Sequence, residues 1–409
     1  MADNVPTTDP RCPMHLLTSR FVRDPYPMLR ALRETAPAVP VEANGYRMWV
    51  ITHYQEIKRV LAGRGFYKDL LPRRKELSAQ TVLLPGKTAR MLHSSRRSVL
   101  ERDGADHRRM RAVLDPEMSA ATIAQYEQEI IATARELTAA LPTGEPFDLV
   151  TSFARPLVVR TIARIVGLVD DELDEFPTWA NLMVTGNSVA QIEESSLKLF
   201  RFAEQVVARK RREPGDDLFT RLIRQCDEEG KFDEDELAST FMVLLVGSCE
   251  PINAMVHTLL VLLRNPDQLM RLREDRSLLA SAVDEGIRLE SPFRMLPPRF
   301  SDEPFELGDI VIPPREFIVP SPAIANRDPD LFPNPDACDI ARRSHGSMSF
   351  GHGPHRCLGI ELGKLETTVA IAALLDRFED ISLAVSPDQL VWRPGMFMRR
   401  ADTFPVICR

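Results

Sequence analysis

The segment Phe350-Gly-His-Gly-Pro-His-Arg-Cys-Leu-Gly359 runs directly into the helical pattern IELGKLETTVAIAALL and sets one cysteine, Cys357, at the start of a helix. A sulfur there faces backbone N–H groups with no intrahelical acceptor and the positive end of the helix dipole. Both favour the thiolate, the form that ligates a metal. Gly353 and Gly359 remove side chains where the backbone must turn sharply or approach a flat ligand. His355 and Arg356 flank the sulfur with groups suited to the carboxylates of a cofactor or of an acidic partner. Taken alone, this is also what a glycine-rich turn around a buried structural cysteine looks like.

A second constellation lies on the longest apolar run, from about Glu234 to Asn265. Asp233 and Glu236 form a capping box at its start, and Pro266 ends it. At 1.5 Å per residue it spans about 48 Å. Its stretch FMVLLVGSCEPINAMVHTLLVLL is apolar enough to suggest a membrane span, but Glu250, Pro251, Asn253 and His257 sit at its centre, where a bilayer makes polar groups costly. A buried core helix interrupted at a site is the better reading. Pro251 lacks an N–H, and its ring clashes with the carbonyl of Gly247, so the helix must open there.

These segments need a scaffold. The 409 residues are 44% apolar, enough for a large core, and 32 prolines spread without forming a linker predict one domain over residues 1–409 with many short connections. A β-rich N-terminal part is expected at about 38–65, with further strands at 300–320. The helical bulk is expected at about 105–290, where TIAQYEQEIIATARELTAAL and SLKLFRFAEQVVARKRR repeat apolar residues at helical spacing. The last strong helix is expected at about 358–376. A net charge of -7 and a pI near 5.7 argue against nonspecific nucleic-acid or membrane binding. The opening MADNVPTTDPRCPMHLL has neither the basic start nor the apolar core of a secretory signal, so a cytoplasmic protein is expected. Six cysteines, widely spaced, give no disulfide framework and no zinc pattern.

Taken together, F-x-x-G-x-H-x-C-x-G, with Phe350, Gly353, His355, Cys357 and Gly359 in place, resembles the haem-binding loop of the cytochrome P-450 family. Further segments match in order. Glu285 and Arg288 stand as E-x-x-R, and the resemblance makes Arg342 or Arg343 the third member of that pair's cluster. Ala325-Asn-Arg-Asp-Pro, followed by Phe332-Pro333, matches a structural stretch of the family. The likeness therefore covers nearly the whole chain. It implies a mainly α fold with small β-sheets, the single-domain cytochrome P-450 fold, with haem b between the long central helix and the Cys-loop helix. Cys357 is then the axial iron ligand, and His107, Arg111, Arg299 and His355 meet the propionates.

The family usually carries a threonine hydroxyl after the acid on the central helix; here Gly247-Ser248-Cys249-Glu250-Pro251 keeps the small residues and the acid but has proline instead. Pro251 keeps the opened groove and deletes a donor used in oxygen activation. A substrate hydroxyl or amine, or Glu250 through water, can replace it, or the enzyme can use peroxide. Glu250 and Pro251 are thus the catalytic candidates. Peroxide-using fatty-acid hydroxylases of the family have proline after an arginine, whereas Glu250 stands here, so a fatty-acid anion is not expected.

The resemblance places substrate contacts between Leu70 and Ser98, from Val243 to Glu250 including Gly247, at Arg294, Met295 and Leu296, and at Met396 and Phe397. Arg73, Arg74, Lys75, Arg90, Arg96 and Arg97, with Arg294, hint at an anionic or carbonyl-bearing substrate. It implies external electrons from a ferredoxin and its reductase, docked against Arg108, Arg109, Arg356 and Lys364, and a monomer without nucleic-acid or membrane partners. Monooxygenation of a small organic molecule in specialised metabolism is the first expectation. Peroxide-driven oxidation, cyclisation, coupling or group transfer is the second, and a haem sensor without turnover the third.

Overall fold

The computed structural model describes residues 14–15, 18–43, 46–69, 97–185 and 189–409. Six helices bear on the positioning of the site: α1 (Tyr26–Thr35), α2 (Gly104–Glu117), α3 (Glu234–Ser248), α4 (Pro251–Arg264), α5 (Leu279–Leu289) and α6 (Ile360–Arg377). Six strands accompany them: β1 (Met14–His15), β2 (Ala38–Ala43), β3 (Tyr46–Ile51), β4 (Phe305–Leu307), β5 (Ile310–Ile312) and β6 (Ile318–Pro320). Two compact units are built from the described parts of the chain. One takes Met1–Val82, Asn253–Cys357 and Ile381–Ile407; the other takes Leu83–Ile252, Leu358–Asp380 and Cys408–Arg409.

The first unit holds a sheet of order β1-β2-β3-β6. β2 and β3 are antiparallel with Ala38 opposite Ile51, and β6 runs parallel to β3 with Trp49 opposite Ile318. Successive strand residues point to opposite faces. Val39, Val41, Met48, Val50 and Val319 therefore join Leu29 and Leu32 of α1 on one face. Ala38, Trp49, Ile51 and Ile318 join Ile57, Val60 and Leu61 of the helix Tyr54–Leu61 on the other. A sheet covered on both sides explains why VPVEANGYRMWVI is apolar at consecutive positions and not only at alternate ones. β4 and β5 form a hairpin whose turn uses Gly308 at φ +63°.

The second unit is helical. Phe241 of α3 stacks within 3.8 Å of Phe219 and 6.4 Å of Phe202, while Leu237, Met242 and Leu245 are buried beside it. The capping box exists as read: the Asp233 carboxylate accepts from Glu236 N at 2.9 Å, and the Glu236 carboxylate accepts from Asp233 N at 3.1 Å. Strands stand at Ala38–Ala43 and Tyr46–Ile51 in the part expected to be β-rich, helices fill most of the stretch expected at 105–290, and the helix expected at about 358–376 runs from Ile360 to Arg377. The stretch Glu234–Arg264 is long and apolar enough by composition to cross a membrane, yet 56% of its most apolar window is buried inside the protein.

The polar residues in the middle of that stretch are interior groups. His257 has no solvent exposure, and its Nδ1 donates to the Glu290 carbonyl at 2.8 Å. Burial penalises the imidazolium and pushes its pKa down to about 4. Below the ordinary value of 6.5 the unfolded chain takes up a proton at this position while the folded chain does not, so stability falls as pH drops through this window. Between pH 6.5 and 5 this group removes roughly 1.5 kcal/mol. Denaturant unfolding of wild type and His257→Phe at both pH values checks this: the variant loses less stability on acidification, and equal losses would contradict the assignment.

Candidate active site

The Cys loop is built on a buried charged cluster. Glu285 and Arg288 lie three residues apart, on one face of α5, and both have no solvent exposure. Arg288 donates through Nε and Nη2 to the two Glu285 oxygens, both at 2.7 Å. Arg342 supplies the third member, its Nε 3.1 Å from Glu285 Oε1, and the backbone N–H of Asp339 donates to the same oxygen at 3.1 Å. Of the two arginines the sequence left open, Arg342 closes the cluster. Arg288 Nη1 also donates to the carbonyls of Asn326 at 2.7 Å and Pro335 at 2.8 Å.

Asn326, from the Ala-Asn-Arg-Asp-Pro stretch, carries this order to the loop. Its Oδ1 accepts from Met348 N at 2.7 Å and its Nδ2 donates to Ser349 Oγ at 2.7 Å, while Ser349 donates to the Ile287 carbonyl at 3.0 Å. Phe350 then packs on Ala254, Val283 and Ile287, and its carbonyl accepts from Cys357 N at 2.8 Å. Between them the chain turns through Gly351 at φ +74° and Gly353 at φ +73°. A Cβ on Gly353 would lie 2.3 Å from the Leu61 carbonyl oxygen, so only glycine fits. Gly359 differs from expectation: its φ of -90° is ordinary, and a Cβ would find only Met118 Cε at 4.0 Å, so the turn itself does not require glycine there.

Cys357 is exposed, whereas Cys226, Cys249 and Cys408 are buried and Cys338 is half-buried; Cys12 lies outside the described residues. The cations expected to meet cofactor carboxylates divide between the units. In the second unit, His107 is buried and Arg111 stands one turn further along α2, paired with Asp115 at 2.7 Å. In the first, Arg299 is buried with Nη1 on the Pro297 carbonyl at 3.0 Å, and His355 is half-buried.

The opening at Pro251 is present. α3 ends at Ser248, and two N–H groups bond three residues back, Cys249 to Val246 at 3.3 Å and Glu250 to Gly247 at 3.2 Å. α4 restarts at Pro251, a first-turn position where a missing N–H costs nothing. Gly247 is exposed with no atom within 4 Å of a would-be Cβ, so the break leaves open space beside it. Ser248 is no substitute for the missing threonine, because its hydroxyl donates to the Leu245 carbonyl at 2.8 Å. Glu250 is half-buried.

Several expectations need correction. Arg294 has no solvent exposure: its Nη1 donates to the Gly395 carbonyl at 3.0 Å, its Nη2 to the Val22 carbonyl at 3.3 Å, and it lies over the Phe21 ring at 5.2 Å. Burial, with Arg399 nearby, pushes its pKa down to about 10. It is a structural cation and not a substrate contact. Met295 and Met396 belong to the same apolar cluster as Phe21 and are likewise interior. Leu296 and Phe397 keep partial exposure. Arg97 pairs with Asp233 and, at 3.0 Å, with Asp235; Arg73, Arg74, Lys75, Arg90 and Arg96 lie outside the described residues. Arg109 is committed to Glu236 at 2.7 and 3.1 Å, while Arg108 and Arg356 are exposed and Lys364 is half-buried.

The family model described as Cytochrome P450 matches residues 12–401. The chain belongs to the cytochrome P-450 family. The vitamin D(3) 25-hydroxylase of Pseudonocardia autotrophica is 32% identical over 393 residues, covering 96% of this chain and 95% of its own length. The 6-deoxyerythronolide B hydroxylase of Saccharopolyspora erythraea is 32% identical over 395 residues, covering 96% and 98%. Among solved structures, the tirandamycin C-bound monooxygenase TamI superposes with a TM-score of 0.90 at 34% identity, covering 97% of this chain and all of that one. Cytochromes P-450 are oxidoreductases that hold haem iron through a cysteine thiolate, and the sensor reading is thereby set aside. The residues present fit that group: an exposed sulfur donor follows a turn whose close backbone packing admits no side chain at Gly353.

Replacing Gly353 by alanine tests this construction. The positive φ costs about 1–2 kcal/mol and the contact with Leu61 forces the loop to move. Purified Gly353→Ala is expected to carry markedly less haem per chain by pyridine haemochrome assay, and full occupancy with an unchanged unfolding midpoint would refute it.

Proposed function

We propose that the chain is a monooxygenase of a small, largely apolar product of specialised metabolism, such as the 6-deoxyerythronolide B after which one of its relatives is named. Haem b is held by Cys357 with His107, Arg111, Arg299 and His355 at its propionates, and electrons come from a ferredoxin and its reductase in the cytoplasm. The observation that carries this reading is the single exposed thiol among the described cysteines, set in the Phe350–Gly359 loop. Bound there, a thiolate-ligated haem supplies an iron centre able to cleave an O–O bond and oxidise a C–H bond. A family match continuous over residues 12–401 supports a single catalytic domain.

The chain's own residues define the rest. Leu296 and Phe397 offer partly exposed apolar surface to the substrate, and burial of Arg294 in backbone bonds takes that cation out of the case for an anionic one. Gly247 and the turn at Cys249 and Glu250 leave room beside the opened helix. Glu250 then transfers protons through ordered water, or a hydroxyl of the substrate fills the role of the missing threonine. The second reading, in which the same haem runs peroxide-driven oxidation, cyclisation, coupling or group transfer, is favoured by one observation: Ser248, the hydroxyl next to the break, is bonded to its own helix.

Two experiments decide these points. The ferrous carbonyl complex of the wild type is expected to absorb where thiolate-ligated haem does, and Cys357→His to lose that band; a wild-type spectrum like that of a histidine-ligated globin would remove the assignment. With 6-deoxyerythronolide B and other macrolactones as probes, product yield from reductase plus oxygen is compared with that from peroxide. Pro251→Thr is expected to raise the reductase-coupled yield several-fold relative to the peroxide yield. Efficient coupling in the wild type, unchanged by the substitution, would deny Pro251 a special role.

A further inference from the structure

Glu290 follows α5 and is buried at the centre of a cluster that neither the Cys loop nor the opened helix uses. Its Oε2 accepts from the Tyr26 hydroxyl and pairs with Arg399 Nε, both at 3.0 Å, and its Oε1 accepts from Arg264 Nη1 at 3.3 Å. Its own carbonyl takes the His257 bond. Arg399 is buried as well: its Nη1 donates to the Arg23 carbonyl at 2.9 Å, its backbone N–H to the Pro292 carbonyl at 2.9 Å, and its guanidinium lies 3.7 Å from the Trp392 ring centre.

Backbone bonds join the two short segments that bear Leu296 and Phe397. Arg294 N and Met295 N both donate to the Phe397 carbonyl, at 2.7 and 3.2 Å, and Leu296 N donates to the Pro320 carbonyl at 2.9 Å. The Arg294 side chain fixes the Gly395 carbonyl at 3.0 Å. Glu290 therefore compensates the buried guanidinium of Arg399, whose own backbone, two residues after Phe397, is tied to the Pro292 carbonyl. Without that charge the Arg399 cation is uncompensated in a low-dielectric interior, and the cost is relieved by moving it, with its stretch of chain, toward water.

We propose that Glu290 is a positioning residue for substrate recognition: through Arg399 it sets where Phe397 stands and, through the backbone bonds of Arg294 and Met295 to the Phe397 carbonyl, where Leu296 stands, independently of the thiolate loop. The inference rests on reading Leu296 and Phe397 as substrate contacts. The Cys loop has its own supports in Glu285, Arg342 and Asn326, so the two functions separate.

The test uses two azoles on the haem-loaded protein, followed by the optical shift on nitrogen ligation of the iron. Imidazole reports the haem alone, and clotrimazole adds bulky apolar contacts with the substrate pocket. For Glu290→Gln, the Kd of clotrimazole is expected to rise about ten-fold while that of imidazole stays within two-fold and the ferrous carbonyl band is unmoved. Glu290→Asp, which keeps the charge, is expected to recover most of the loss. Phe397→Ala and Leu296→Ala serve as references. If they weaken clotrimazole and Glu290→Gln does not, or if Glu290→Gln weakens both azoles alike, the positioning role is wrong and the contact reading stands. If neither reference substitution affects clotrimazole, the contact reading fails, and this proposal with it. Should Glu290→Gln not accumulate as haem protein, Arg399→Lys, which keeps the charge but loses the planar fork, is read by the same titrations.

Discussion

Fully excluding Glu285 and Arg288 from water commits the protein to satisfying every polar atom on both side chains, because a half-paired buried charge is worse than none. Replacing such a pair by apolar residues of similar volume is often neutral for stability, so Coulomb attraction does not account for its presence. The surrounding chain does. Between Asn326 and Ser349 the described backbone forms no strand and no helix, only turns, and its carbonyls need donors from outside. Arg288 and Arg342 supply them at Asn326, Pro333 and Pro335. The ion pair is the form around which an irregular segment is moulded, and Asn326 passes that form to Met348 and Ser349, one residue short of Phe350.

Rigidity there has a chemical consequence. A thiolate that donates electron density to iron must keep its place while the metal changes charge, and a loop free to relax would not hold it. The two glycines at positive φ and the Cys357 N–H bond to Phe350 define one path for the chain between fixed points. The central helix makes the opposite use of backbone chemistry. Pro251 prevents the regular bond to Gly247, and the chain responds with two three-residue turns and a fresh helix start. Glycine beside the break keeps the space empty.

Much of this was legible because it depends on local patterns. The capping box, the helical bulk and the break at Pro251 follow from residue type and spacing alone. The Cys loop was legible because several of its constraints are steric and therefore leave glycine at a fixed offset. What was not legible concerns destination. An arginine in sequence is the same letter whether it ends in water, on a carboxylate or on a carbonyl, and Arg294, Arg109 and Arg97 each went elsewhere than expected for that reason. Arg342 and Arg343 are adjacent and chemically identical, so only the path of the chain distinguishes them. Glu290 gave no signal, since a carboxylate beside Ser-Pro after a helix reads as surface.

Destination also decides what a partner meets. The chain has 52 basic residues against 59 acidic ones, and a count would suggest ample cations for an acidic redox protein. Yet Arg288, Arg294, Arg299 and Arg399 are interior, and Arg109, Arg111 and Arg211 are held by carboxylates at bonding distance. Exposed ion pairs contribute little to stability, but they do subtract from the field around the protein. With so many guanidinium groups spent on the chain's own backbone and acids, the field that a partner meets is weaker than the count of cations implies.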